Sequence, residues 1–146
     1  MKRSFAWIPL LLSLAGSVVL GAQATLSNED HPKIMKANAQ AAGAMNKAIG
    51  SGAFADARMQ VATLRQNFTS LQAFWMDKKK DDAVAILKDG LTRLDALDKV
   101  LAAPTVDQMA AQAGAKEFAG NTCGACHKLY REGDAQAGFR FKAGVL

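Results

Sequence analysis

The stretch from about Ala55 to Met76 constrains the fold more than any other. Val61, Leu64, Phe68, Leu71 and Trp75 recur at alternating steps of three and four, and Phe74 widens the face they share. On a helix of 3.6 residues per turn that spacing draws one apolar stripe; on a strand it would scatter the same residues over both faces. An apolar stripe must be covered, and the rest of the chain offers further helices to cover it.

Ser27-Asn28-Glu29-Asp30 ahead of Pro32 reads as a helix start, and the first helix is expected over about Pro32 to Ile49. Its apolar positions are Ile34, Met35, Ala41, Ala42, Met45, Ala48 and Ile49, and Gly50-Ser51-Gly52 ends it. The third helix, about Asp81 to Ala102, buries Val84, Leu87, Leu91, Leu94, Leu97 and Leu101 behind an acidic first turn, Asp81-Asp82. Thr105 followed by Gln108 is a capping-box pattern, so a fourth helix is expected from there through Phe118 to about Arg131, with Gly133 placed to stop it. The small residues between Gly114 and Gly120 suit close approach to a neighbour. Met45, Met59, Met76 and Met109 fall on or near the stripes and read as core. There is no strand signal longer than a few residues, no repeat and no low-complexity segment. Four amphipathic helices with short connections predict an all-α fold, an antiparallel four-helix bundle.

The chemistry concentrates in Cys123-Gly124-Ala125-Cys126-His127, which holds both cysteines of the chain. Thiols at i and i+3 lie on one face of a helical turn, where both can reach the two neighbouring vinyl groups of one porphyrin. The imidazole next in sequence then supplies an axial nitrogen to the iron. This is the spacing of c-type haem attachment. A thioredoxin-like Cys-x-x-Cys would want a strand before it, and none is indicated. A structural zinc site needs four ligands, and the chain has two cysteines and two histidines, with Cys126 and His127 adjacent. A bare disulfide would leave His127 without a role. One covalent haem c near the C-terminal end of the fourth helix is therefore expected, with Cys123 and Cys126 holding the porphyrin and His127 as proximal iron ligand.

The N-terminus points to export. Lys2 and Arg3 form a basic start, Trp7 to Leu20 is an apolar run broken by Pro9, Ser13, Gly16 and Ser17, and Ala22-Gln23-Ala24 offers small residues for a signal peptidase. The run is too short and too interrupted for a comfortable membrane span. A cleaved signal peptide over residues 1–24, a domain over 25–146, a periplasmic location and no stable membrane insertion after cleavage are expected. Thioether attachment of haem takes place outside the bacterial cytoplasm, so the two signals agree. Loss of the two cations Lys2 and Arg3 lowers the formal charge from +5 to +3. The only basic run, Lys78-Lys79-Lys80, reads as a solvated helix junction, and no basic stripe with interleaved aromatics suggests nucleic acid.

The run Cys123-Gly124-Ala125-Cys126-His127-Lys128-Leu129-Tyr130-Arg131, near the C-terminus and at the end of a fourth helix, resembles the class II cytochromes c, which include cytochrome c′ and the low-spin cytochrome c-556 group. Ile34-Met35-Lys36-Ala37-Asn38 is similar to the Met-Lys segment of that family's first helix. The resemblance implies Met35 as distal iron ligand, Arg131 against the proximal haem face, and a monohaem electron carrier that meets periplasmic redox partner proteins. It also implies an alternative, a cytochrome c′-like protein whose open distal site binds nitric oxide or carbon monoxide. Members of the c′ type usually carry an arginine one turn before the distal position. Here that residue is His31, a candidate distal ligand or hydrogen-bond donor, or simply an exposed histidine ahead of Pro32. Pairing as a homodimer through the first two helices follows from the resemblance alone. No nucleophile–base pair or paired carboxylates suggest an enzyme. The last dozen residues, including Phe139-Arg140-Phe141, lack a period and are expected either to fold back over the bundle or a haem edge, or to trail as a loose tail.

Overall fold

The computed structural model describes residues 26–146; the signal-peptide expectation for residues 1–24 lies outside that range. The chain forms α1 (His31–Ser51), α2 (Phe54–Asp77), α3 (Asp81–Leu101) and α4 (Gln108–Phe118), then a π-helical turn (Ala119–Gly124), α5 (Ala125–Tyr130), and two short strands, β1 (Arg131–Glu132) and β2 (Arg140–Phe141). Helices α1 to α4 pack in sequence order and α4 closes back onto α1, as an all-α bundle requires.

Local chemistry sets the helix ends. Pro32 occupies the first turn of α1, where its missing N–H costs nothing. Gly52, at φ 76°, takes the left-handed turn that ends α1, and the Ala53 N–H donates to the Ala48 carbonyl at 2.9 Å. The α2–α3 junction falls on Lys78–Lys80, as the basic run suggested, and Asp81 and Asp82 open α3. The start of α4 differs from the expected capping box. Its N-cap is Asp107, whose side chain accepts from the Ala110 N–H at 3.0 Å. Gln108 does not reach back towards Thr105; its Nε2 donates to the carbonyls of Ile49 and Gly50 at 2.8 and 3.0 Å. It thereby satisfies the Gly50 carbonyl at the end of α1 and adds a second donor to that of Ile49, which already accepts from the Gly52 N–H at 3.2 Å.

The expected stripe of α2 is buried in full: Val61, Leu64, Phe68, Leu71, Phe74 and Trp75 all lie inside. Met45, Ile49, Leu94, Leu97 and Phe118 meet it from the other helices. Each such side chain, fully buried, contributes about 1.5–3 kcal/mol. Met45 is core as expected, but Met59, Met76 and Met109 point to solvent, since they sit beside their stripes and not on them. Asn38 is buried as well, where it accepts from Asn67 Nδ2 at 2.9 Å and ties α1 to α2. Ion pairs Arg58–Asp98 (2.8 Å) and Arg65–Asp95 (2.9 Å) join α2 to α3 at the surface; exposed pairs of this kind contribute at most about 1 kcal/mol each.

Among the helical glycines the tightest site is not Gly114, whose added Cβ would meet Leu97 only at ordinary contact distance. It is buried Gly90 of α3, where a Cβ would collide with Thr122 Cγ2 and stand 3.1 Å from Phe68 Cε1. Glycine is required there by space.

The expected fourth helix is not continuous to Arg131. It is interrupted by the π turn and ends at Tyr130, and Gly133 does not stop it. Gly133 (φ 86°) and Gly138 (φ 78°) instead serve the hairpin that pairs Arg131 with Phe141 and Glu132 with Arg140. The tail folds back over the bundle: the Lys142 N–H donates to the Tyr130 carbonyl at 3.0 Å, and Val145 is buried. Among the described residues no helix is long and apolar enough to cross a membrane.

Candidate functional site

The motif straddles two elements. Cys123 and Gly124 close the π turn, while Ala125, Cys126 and His127 open α5. Both thiols are free, half-buried and packed against the core. Burial raises the pKa of Cys123, and burial together with the neighbouring charges of Cys123 and Asp82 pushes Cys126 up to about 11. At neutral pH both are neutral thiols. His127 is shifted the other way: burial first, then the Arg131 cation, lower its pKa and keep the imidazole neutral. A neutral imidazole has the free lone pair that a metal takes.

Aromatic rings frame this end of the bundle. Trp75 stacks on Tyr130 with centroids 4.7 Å apart and meets Phe74 edge-on at 5.2 Å. The Tyr130 hydroxyl donates to Asp82 Oδ1, which fastens α5 to the first turn of α3. From the tail, Phe141 lies 4.5 Å from the His31 ring and 5.6 Å from Trp75. The strap is held by Lys142 Nζ, which donates to the Lys128 carbonyl at 2.6 Å, and by the Arg131 guanidinium, stacked 4.1 Å over Phe139.

His31 is not the exposed residue that its place ahead of Pro32 suggested. It is half-buried, with Phe74 at 5.2 Å and Phe141 at 4.5 Å, and its pKa falls to about 4 through burial first and the nearby charge of His127 second. The structure thus sets the two histidines of the chain close enough to feel each other. Met35 follows one turn later on the same face of α1, half-buried against the core. Arg131 lies past the helix end, on β1, exposed and against Phe139. Sequence reasoning missed Thr122, Gly90, Asp82 and the role of Phe141. Only Phe139-Arg140-Phe141, two aromatics in a segment without a helical stripe, signalled that the tail had something to cover.

The donors fit a covalently held haem. Two neutral thiols three residues apart with a neutral imidazole next to the second, close to the packed rings of Trp75 and Tyr130, suit an apolar macrocycle with one metal. They suit a bare ion poorly, since among the described residues no three His, Cys, Asp or Glu side chains converge. Two shallow surface grooves, of about 390 and 320 Å³, run between α2 and α3 and between α3 and α4, and neither touches the motif.

Comparison of the chain with family models, with curated proteins and with solved structures returns no match.

Proposed function

We propose that this chain is an exported, monohaem c-type cytochrome that carries electrons, with haem c bound through Cys123 and Cys126 and with His127 as proximal ligand. The observation that supports this most is the pair of neutral, half-buried thiols three residues apart, with a neutral imidazole next to the second. Bound haem would supply a one-electron iron couple. The protein's part is to hold, orient and insulate. The two sulfurs pin the macrocycle at the helix, His127 presents its lone pair, and the Trp75–Tyr130 stack keeps water from that side. Met35 is the distal donor in this reading; its thioether favours the reduced metal and raises the potential. Arg131 beside His127 disfavours a protonated imidazole and so helps keep it a ligand. No substrate chemistry is assigned. The partners are periplasmic redox proteins met through small transient contacts, and the mature chain begins after residue 24 and pairs as a homodimer.

The test is expression in a host that matures c-type cytochromes. The pigment should stay with the protein through acid and organic-solvent extraction, and Cys123→Ser should leave at most one thioether. Pigment that extracts freely from the wild type refutes the proposal. The reduced protein should show a sharp low-spin spectrum, unchanged by carbon monoxide and altered by Met35→Ala. A prompt shift with carbon monoxide would instead assign the open, gas-binding alternative. N-terminal sequencing should begin at Thr25, and light scattering should give the mass of two chains.

A further inference from the structure

In an unbroken α-helix each residue advances the side chain by about 100°. Counted from Phe118, which is buried in the core, Leu129 would return to within about 20° of the same line and Tyr130 would stand about 120° away. The protein has the reverse: Tyr130 is 8% exposed and Leu129 is 48% exposed. The π turn between Phe118 and this pair accounts for the exchange. A π bulge absorbs one surplus residue and turns everything after it back by about 100°. The same rotation brings Cys126 from about 80° off the Phe118 line to within about 20° of it, and carries His127 from the opposite face to the flank.

Something must hold the surplus residue in place, because a π turn is less favourable than α-helix. Gly120 and Asn121 are exposed and weak helix formers, so they resist little. Thr122 is the one residue of the turn that is buried, and its Cγ2 sits where any Cβ at Gly90 would be. Its Oγ1 is enclosed there without a hydrogen-bond partner, so shape and not polar pairing holds it.

We propose that Thr122 seated on Gly90 is a key that locks the π turn and so sets the rotational phase of the Cys123–Cys126–His127 motif. Both are positioning residues in this reading, acting through the turn that carries the motif. The purpose assigned to them rests on the haem reading, but the geometry is testable without it.

The first variant is Gly90→Ala, examined in the haem-free chain. Alanine normally favours a helix interior, yet here it must displace Thr122. The expected result is loss of the near-ultraviolet circular dichroism of the Trp75–Tyr130 stack. Alkylation of Cys126 should be roughly tenfold faster as its thiol turns outward. Adding Thr122→Ala to Gly90→Ala empties the notch and should restore both signals. Deleting Gly120 removes the surplus residue and should leave Tyr130 packed, because a straight helix one residue shorter keeps the same phase. Inserting an alanine after Gly120 should lose it. In the haem-loaded protein, Gly90→Ala should lower the yield of doubly linked haem and shift the low-spin electron paramagnetic resonance signal, with rescue in the double variant. The inference is overturned if Gly90→Ala leaves the stack and the alkylation rate unchanged, if the double variant is no better than the single, or if the Gly120 deletion exposes Tyr130. Absence of haem in the wild type would refute the functional reading and leave these outcomes standing.

Discussion

Replacing Thr122 by valine should stabilise the protein. Thr122 is 1% exposed and its Oγ1 has no hydrogen-bond partner. An enclosed hydroxyl left unpaired costs about 1–3 kcal/mol. Valine keeps the branched shape, so Cγ2 stays seated over Gly90. Its second methyl replaces Oγ1 and gains about 0.8 kcal/mol from burial. A methyl is larger than a hydroxyl, and crowding in this packed notch takes back up to about 1 kcal/mol. The net expectation is a gain of about 1.5 kcal/mol, which for a domain of this size raises Tm by roughly 5 °C. Urea unfolding followed by far-ultraviolet circular dichroism at pH 7 measures it, with the midpoint moving up at constant slope. Should valine instead lower stability by about 1 kcal/mol or more, the hydroxyl has a partner in solution and the shape-only account of the notch fails.

Other perturbations probe the surrounding contacts. With the pKa of His31 near 4 in the fold against an ordinary 6.5, the unfolded chain takes up the proton first; stability is therefore full above about pH 6.5 and declines as pH falls towards 4. The ring is only half-buried, so the loss should be about 2 kcal/mol, and His31→Phe should flatten the slope between pH 7 and 4.5; an unchanged slope places its origin elsewhere. Tyr130→Phe removes the donor to Asp82 but leaves that carboxylate in solvent, so chemical denaturation should show a loss of about 1 kcal/mol, and no loss would mean the bond adds nothing. Gln108→Ala frees the Gly50 carbonyl and leaves that of Ile49 with the Gly52 N–H alone, and should cost about 1 kcal/mol, with faster amide exchange confined to the α1–α2 turn and the start of α4. Uniformly faster exchange would count against a local cap.

The residue order alone determined the first three helices. The stripe from Val61 to Trp75, the acidic opening at Asp81 and the glycine at position 52 act over one or two turns, and such short-range terms can be read directly from spacing. Order alone also located the candidate site, because Cys123, Cys126 and His127 are neighbours in the chain. Three-dimensional packing decided how that site faces. Thr122 carries no local sign that it will nest against Gly90, and nothing near Gly120 announces a π turn; both depend on how closely α3 passes, a distance fixed by the whole core. His31 looks solvated beside Pro32 until Phe141, from the far end of the chain, covers it. Helical phase is a small angle accumulated along the chain, and a single surplus residue resets it by about 100°. Which side chain ends inside is therefore settled by the neighbouring helix, and periodicity has no means of recording it.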